Sequence, residues 1–197
     1  MSTLLRDLEL EGLQIQTSPY ISLLRMRDRE AGVHSESIRA MVREVGDRLS
    51  VPADQIIQIE AAARIHDLGT IVIPDPILKS DGVLTADERQ IMQRHPQNGY
   101  EALKESEELR SVADIVLHHH ERYDGAGYPH GLEGKNIPFG SRMIGVLDAF
   151  DAMINRRPYR PAMSKREACE ELLIGKESQF DPEIVDALLE AVRFSVH

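Results

Sequence analysis

Apolar residues along this chain recur with the spacing of α-helices, and the alternating pattern of β-strands is nearly absent. In residues 38–49 the apolar positions repeat every three or four residues, and similar spacing returns in residues 56–65 and 184–192. Side chains with this spacing lie on one face of a helix. The pattern therefore predicts an all-α fold, a single helical bundle around one core.

Local signals indicate where several helices begin. Thr85–Glu88 and Ser164–Glu167 both match the capping box, which is typical of the first turn of a helix. We expect one helix to run from the first box through His95 to residue 103, with His95 on its inward face. Residues 71–84 contain two prolines and a glycine, and we expect them to form a loop.

The first 25 residues are less distinctive than the rest of the chain. Their leucines predict a short helix, which we expect Gly12 and Pro19 to interrupt. One interpretation is that residues 1–25 are a linker from an upstream domain and that residues 26–197 form the folded domain. A chain of 197 residues with 42% hydrophobic content is long enough for one such domain with a sizeable core.

Composition excludes several functional classes. The formal net charge of −10 disfavours non-specific binding to a nucleic-acid polymer or an anionic membrane, because either would repel the protein. No apolar run approaches the roughly 20 residues needed to span a bilayer. Cys169 is the single cysteine, so no intrachain disulfide can form, and a cytoplasmic location is expected. The sequence contains no signal for a particular oligomeric state.

Residue types that commonly ligate metals occur in five separate segments. Most of them stand at positions where the helical pattern predicts an inward-facing side chain. An uncompensated buried carboxylate or imidazole costs several kcal/mol, roughly, so these groups are expected to bind one another or cations. Divalent metals are the economical explanation. The residues concerned are Glu30, His34, His66, Asp67, His95, His118, His119, His120 and Asp148.

Each of these residues also has an ordinary explanation when taken alone. His95 would fit a hydrogen-bonded core histidine, Asp148 a salt-bridge partner of Arg142 or Arg156, and Glu30 an exposed charge. Their conjunction favours a metal site instead. Imidazole and carboxylate ligands without thiolates suit iron, manganese, zinc or nickel. An adjacent His–Asp pair can bridge two ions, and paired ions are typical of phosphoryl hydrolysis.

These residues lie in motifs that resemble the HD-GYP family, a branch of the HD phosphohydrolase superfamily. The resemblance extends from about Glu30 to Val192. The motifs are His66–Gly69, Ile73–Leu78, His95–Gly99, His119–Pro129, Leu147–Ala152, Arg157–Arg160 and Phe180–Pro182.

The resemblance implies an HD-superfamily helical bundle with a metal site in its core. It also implies a bridging role for Asp67, catalytic roles for His66 and Asp67, and two or three ions, with iron or manganese expected. In the family members that hold a third ion, a glutamate stands at the position of Glu30. The residues expected to hold two ions are His34, His66, Asp67, His95, His119, His120 and Asp148.

The activity implied by the resemblance is hydrolysis of cyclic di-GMP to pGpG, and further to GMP, by a hydroxide that bridges the metal ions. The signature loop around Tyr128 is expected to shape the substrate site and to contact diguanylate cyclase domains, although a simple turn remains an alternative. The residues expected to contact substrate are Lys79, Arg122, Asp124, Gly127, Tyr128, Pro129, Arg157 and Arg160.

Two positions depart from the family pattern. Thr70 stands where the family often has lysine, and Ser37 stands where arginine is common. Loss of that lysine removes a cation near the phosphate, an effect on the order of 2–4 kcal/mol in the transition state if nothing replaces it. Two alternatives therefore stay open: a signalling module that binds a cyclic dinucleotide or a partner with little turnover, and a phosphodiesterase for another cyclic dinucleotide such as cyclic GMP-AMP.

Overall fold

The computed structural model describes residues 3–27, 29–155 and 162–194, and its regular elements are helices, which confirms the predicted all-α class. Within these ranges, none of the helices is long and apolar enough to cross a membrane. The helices described are α1 Thr3–Arg27, α2 Arg29–Arg48, α3 Ala53–Ile65, α4 Asp75–Leu78, α5 Ala86–Met92, α6 His95–Leu103, α7 Arg110–Leu117, α8 Phe139–Ile154, α9 Lys165–Gly175 and α10 Pro182–Phe194, with 3-10 helices at Leu68–Val72 and Gly134–Asn136.

Helix α3 lies at the centre of the bundle. It packs against α1, α2, α7 and α8, and most of its residues are buried. Three consecutive alanines, Ala61, Ala62 and Ala63, are almost completely buried, and their small side chains let the neighbouring helices approach closely. A helix that is apolar around most of its circumference belongs in a core. The His66–Asp67 pair follows α3 directly, so the end of this central helix positions both side chains.

Helix α1 differs from the prediction. The expected interruption at Gly12 and Pro19 is wrong, because one continuous helix includes both residues. Leu24 is 1% exposed, and Tyr20 packs against the same core. A proline inside a helix removes one hydrogen bond, and burial of this apolar face against α3 compensates for that loss. The division of the chain at residues 25 and 26 stays a prediction.

The helix expected between the first capping box and residue 103 is two helices. The capping box at Thr85 is confirmed, but α5 ends at Met92 and α6 begins at His95. Pro96 explains the break, since it has no N–H to donate to the carbonyl of Met92. That carbonyl instead accepts a hydrogen bond from Nδ1 of His95 over 2.9 Å. The break therefore fixes the orientation of the histidine ring.

The stretch expected to be a loop between residues 71 and 84 is partly helical. The 3-10 helix Leu68–Val72 extends into it, and α4 forms a single turn. Pro74 precedes that turn and Pro76 lies within its first two positions, where a proline costs little because those N–H groups have no helical partner. The second capping box, at Ser164, is confirmed at the start of α9.

Candidate metal centre

Two groups of ligating side chains meet at the end of α3. In each group, one nitrogen or carboxylate oxygen from every member lies within 4.8 Å of those of the others. Five helices or their ends supply these side chains, so the packing of the bundle assembles the site. The first group consists of Asp67, His95, His119 and His120, and the second of His34, His66 and Asp148.

Asp67 joins the two groups. Its Oδ1 lies 3.4 Å from Nε2 of His95, and its Oδ2 lies 3.3 Å from Nε2 of His66. Burial alone would raise the pKa of Asp67, but the neighbouring imidazoles, His66 first, hold it well below its usual range. The side chain is therefore a carboxylate whose two oxygens face different groups, as a bridging ligand requires.

The tautomers of three central histidines follow from their hydrogen bonds. His66, His95 and His119 each place Nδ1 at 2.6–2.9 Å from the backbone carbonyl three residues earlier. A carbonyl can only accept, so Nδ1 carries the proton and donates it in each case. In the neutral rings, Nε2 therefore presents its lone pair to the centre. Histidines that ligate metals commonly have such a partner on the other ring nitrogen.

Another histidine of the centre, His34, is oriented by two carboxylates. Its Nδ1 lies 2.5 Å from Oδ2 of Asp151, and its Nε2 lies 2.7 Å from Oδ1 of Asp148. Burial opposes the charged ring, but hydrogen bonds to Asp148 and Asp151 outweigh it and raise the pKa of His34 to about 10. Ser37 donates a hydrogen bond to the other oxygen of Asp151, which fixes this carboxylate in turn.

The donor set fits divalent metal ions. Nε2 of His95 and Nε2 of His119 lie 3.3 Å apart, although neither carries a proton in the neutral tautomers derived above. Burial and the neighbouring imidazoles, His120 first, lower the pKa of His119 well below its usual range. Two lone pairs facing each other in a buried site are unfavourable unless a cation lies between them. Imidazole nitrogens with carboxylates are the ligands of zinc, iron, manganese and nickel sites.

The signature loop is held against this centre. The ring of Tyr128 stacks on His120 with 4.9 Å between centroids, and its backbone N–H donates to the carbonyl of His120 over 3.3 Å. Burial and the charge of Asp67 raise the pKa of Tyr128, so its hydroxyl keeps its proton at neutral pH. Gly127 is required here, because a Cβ would lie 2.3 Å from the backbone nitrogen of Arg122.

A cavity of about 250 Å³ opens beside the first group of ligands. His119, His120 and Asp148 form part of its wall. The rest of its wall includes Gln179 and Asp181, two polar residues of the chain segment before α10. The cavity gives a small molecule access to the ligand atoms from one side of the bundle.

Among the other residues predicted to contact substrate, Arg122 also lines this cavity. Lys79 pairs with Asp75 over 2.8 Å at the surface, and Arg122 makes a bidentate pair with Asp124 over 2.7 and 3.1 Å. Each of these cations thus already has a carboxylate partner. Pro129 is exposed and follows Tyr128 in the loop. Arg157 and Arg160 lie outside the described residues; Glu30 falls within α2, but its side chain is not described.

The position of the missing family lysine holds no cation. The hydroxyl of Thr70 donates to the backbone carbonyl of Asp67 over 2.8 Å. This bond stabilises the turn after the His–Asp pair. In the same turn, a Cβ at Gly69 would lie 1.9 Å from the carbonyl oxygen of His95, so glycine allows the 3-10 helix to contact α6.

Sequence reasoning missed Asp151, which orients His34. Asp151 is 1% exposed and lies one helical turn after Asp148 on α8. An i,i+3 spacing places both carboxylates on one face, and this was the available signal. The alternative that Asp148 pairs with Arg142 is wrong, because Arg142 forms a buried ion pair with Asp181.

The comparison with known families agrees with this architecture. A family model described as the HD domain matches residues 20–184. The chain belongs to the HD domain family. This match supports the resemblance at the level of the HD superfamily, of which the HD-GYP family is a branch.

This HD domain is similar to two bacterial phosphodiesterases. It is 41% identical over 168 residues to the cyclic di-GMP phosphodiesterase response regulator RpfG of Xanthomonas campestris, covering 84% of this chain and 44% of the relative. It is 36% identical over 166 residues to the 3'3'-cGAMP-specific phosphodiesterase 2 of Vibrio cholerae, covering 83% of this chain and 32% of the relative. The chain thus spans less than half of the length of either relative.

The fold also has a solved counterpart. The structure of Bd1817, described as an HDG"Y"P protein from Bdellovibrio bacteriovorus, matches with a TM-score of 0.70 and 18% sequence identity. The match covers 95% of this chain and 62% of that chain. At this level of identity the likeness concerns the fold alone, and it agrees with an HD-type helical bundle.

Proposed function

We propose that this HD domain is a metal-dependent phosphodiesterase that hydrolyses cyclic di-GMP to pGpG and further to GMP. The observation that carries the proposal is the geometry of Asp67, whose two oxygens face His95 in one ligand group and His66 in the other. Similarity to RpfG supports the choice of substrate. A site that can hold two neighbouring ions suits phosphodiester hydrolysis, because both the attacking and the leaving oxygen need stabilisation.

The proposed cofactors are two or three divalent ions, with iron or manganese preferred and Glu30 as the proposed ligand of the third. One ion would be held by His95, His119 and His120, the other by His34, His66 and Asp148, with Asp67 shared. When bound, such ions lower the pKa of water and stabilise negative charge on phosphate oxygens.

The chain's own residues have distinct tasks in this proposal. Nδ1–H bonds to backbone carbonyls keep the Nε2 atoms of His66, His95 and His119 aimed at the centre. Asp67 remains ionised because neighbouring imidazoles hold its pKa low. Tyr128 holds the ring of His120 by stacking and closes one side of the site. The cavity beside Asp148 is the proposed entrance for substrate.

A second candidate function keeps the reaction and changes the substrate to cyclic GMP-AMP. Its support is the similarity to the cyclic GMP-AMP-specific enzyme of Vibrio cholerae. The two substrates differ in one purine, and a single exchanged hydrogen-bonding edge can reverse such a preference. A comparison of kcat/KM for the two dinucleotides on the same preparation separates these candidates.

A third candidate is a binding module with little turnover. Its support is Thr70, which leaves the usual lysine position without a cation, together with the pairing of Arg122 by Asp124.

Diguanylate cyclase domains are the protein partners proposed for the loop around Tyr128. A cytoplasmic location is proposed as well, because the single cysteine fits a reducing compartment.

The test compares Asp67→Asn with Asp87→Asn. The Asp67→Asn change keeps the size of the side chain but removes the charge that faces both ligand groups, and we expect hydrolysis of cyclic di-GMP to fall at least 100-fold, roughly, with loss of bound metal. Asp87 is an exposed residue of α5, so its variant controls for the change in net charge. Equal hydrolysis by Asp67→Asn and the parent protein refutes the role of Asp67 at the centre, and absence of hydrolysis by the metal-loaded parent refutes the proposed function.

A further inference from the structure

A third group of ligating side chains lies outside the two central groups. His118, Glu121 and His130 bring one ligand atom each to within 4.8 Å of one another. His118 is the residue after the last turn of α7, and His130 follows Pro129 in the signature loop. None of the three belongs to either central group. The third group connects the end of a core helix to the loop that covers the metal centre.

The hydrogen bonds of His118 leave one ring nitrogen open toward His130. Its Nδ1 lies 2.9 Å from the backbone carbonyl of Asp114, so Nδ1 carries the proton. The Nε2 atom of the neutral ring then has only a lone pair, and it lies 3.0 Å from Nδ1 of His130. This pattern repeats the one at His66 and His95, where a backbone carbonyl holds Nδ1 and Nε2 faces other ligands.

Glu121 supplies an anionic ligand on the inner side of the group. It is 8% exposed, and its two oxygens accept backbone hydrogen bonds from His130 over 2.7 Å and from Leu132 over 3.1 Å. These bonds fix the orientation of the carboxylate. Each carboxylate oxygen has a second acceptor position, so both remain able to contact a cation.

Two imidazoles and one glutamate form a recognised zinc ligand set, in which nitrogen and oxygen atoms lie about 2.0–2.2 Å from the ion. The 3.0 Å between the ring nitrogens of His118 and His130 fits two ligands of one ion at such distances. The backbone carbonyl on Nδ1 of His118 matches the outer partner that such histidines usually have.

We propose that His118, Glu121 and His130 form a peripheral site for a divalent ion of the zinc type, separate from the two central groups. The ion ties the loop after Pro129 to the end of α7. Because Tyr128 lies two residues before His130 and stacks on His120, occupancy of the peripheral site restrains the part of the loop that contacts the centre. The proposal concerns ion binding and does not depend on the proposed hydrolysis.

The competing explanation is a simple hydrogen bond in which Nδ1–H of His130 donates to Nε2 of His118. That bond would satisfy both rings without an ion. The two explanations differ in what happens when metal-free protein meets Zn²⁺. Only the peripheral site requires that removal of His130 lower the number of ions bound.

The experiment measures Zn²⁺ bound per chain by titration calorimetry and elemental analysis, using the full chain after removal of metal by a chelator. The variants are His130→Asn and, as a rescue, His130→Cys, because a thiolate is also a zinc ligand. Lys135→Ala is the matched control, since Lys135 is an exposed residue of the 3-10 helix just after this loop and pairs with Glu183. His130 is itself exposed, so its replacement is expected to leave the core intact.

The proposal predicts that His130→Asn binds one Zn²⁺ fewer per chain than the parent, and that His130→Cys and Lys135→Ala bind the parent number. Equal binding by His130→Asn and the parent overturns it. The same measurements in an Asp67→Asn background separate this result from the central site. In that background, His130→Asn must still bind one ion fewer. If it binds the same number, the ion lost from the parent belongs to the centre and the proposal is overturned.

Amide hydrogen exchange gives a second readout that does not involve the number of ions. Zn²⁺ is expected to slow exchange at residues 128–134 of the parent, because the ion fixes the loop that carries the backbone N–H groups bound by Glu121. The slowing must be absent in His130→Asn and restored in His130→Cys. Equal slowing in the parent and in His130→Asn contradicts the peripheral site.

Discussion

Replacement of Asp151 by asparagine tests whether the bundle orients its ligands through outer hydrogen bonds. The side chain of Asp151 accepts from Nδ1 of His34 over 2.5 Å and from the hydroxyl of Ser37, and it is 1% exposed. Asparagine has nearly the same size but no negative charge. It can also present its NH₂ group to the ring, which would favour the wrong tautomer of His34.

The expected magnitude follows from these contacts. A hydrogen bond to a charged group contributes about 1.5–3 kcal/mol net. Loss of an outer partner of a metal-ligating histidine typically costs about 10–100-fold in metal affinity, and each tenfold corresponds to about 1.4 kcal/mol. The estimate from the hydrogen bond and the estimate from metal affinity therefore give about the same range of free energy. We therefore expect one ion, the one proposed for the group of His34, His66 and Asp148, to bind about 10–100-fold more weakly.

The assay is a Mn²⁺ titration of metal-free protein by calorimetry, with the Asp186→Asn variant as control. Asp186 is exposed and pairs with Lys176, so the control removes a charge without touching the centre. One binding event should shift in Asp151→Asn, while the event assigned to the other ligand group keeps its affinity. Unchanged affinities in a folded Asp151→Asn protein would refute the orienting role of Asp151.

Three further predictions concern stability. Gly127→Ala should destabilise the protein by about 1–3 kcal/mol in urea unfolding, because the added Cβ would lie 2.3 Å from a backbone nitrogen of Arg122. Asp181→Ala should lower the free energy of unfolding by about 3–5 kcal/mol in the same assay, since it leaves Arg142 partly buried without its partner. The pKa of His34 is raised from 6.5 to about 10 in the folded, metal-free protein, so its stabilising contribution is complete below pH 6.5 and is lost as the pH rises through 10. The difference in unfolding free energy between parent and His34→Asn should therefore shrink from pH 7 to pH 10.

Each of these predictions has a control and a result that would contradict it. Gly82→Ala should be tolerated, because its Cβ would meet nothing closer than 3.9 Å. If Gly82→Ala lowers the free energy of unfolding as much as Gly127→Ala does, close packing does not explain the effect of Gly127→Ala. Asp186→Ala, which breaks an exposed ion pair, should lower the free energy of unfolding by less than about 1 kcal/mol. An equally small decrease for Asp181→Ala would contradict the argument from burial. A difference for His34→Asn that grows with pH would show that the two carboxylates do not hold its proton.

Much of the candidate site could be predicted because its signals are local. The His66–Asp67 pair and the histidine run are visible in the sequence, and helical periodicity indicates which side chains point inward. Both capping boxes were located because four adjacent residues determine them. These features depend on hydrogen bonds within one turn of helix, which a sequence pattern can represent.

The remainder depends on contacts between distant segments. Asp151 orients His34 across 117 positions of sequence, and only the packing of α2 against α8 brings them together. The continuity of α1 through Pro19 likewise depends on burial against α3. The helix propensities of the individual residues do not take this burial into account. The break before His95 was in principle visible, because Pro96 cannot donate the hydrogen bond that a continuous helix needs.

The measurement that tests the central claim most directly is an anaerobic assay of the iron- or manganese-loaded protein with cyclic di-GMP. Products are separated by chromatography, and metal content is determined on the same sample. The account predicts conversion to pGpG or GMP by protein that holds two or more ions. Intact cyclic di-GMP after incubation with protein that holds those ions would contradict it and would favour a binding module or another cyclic dinucleotide.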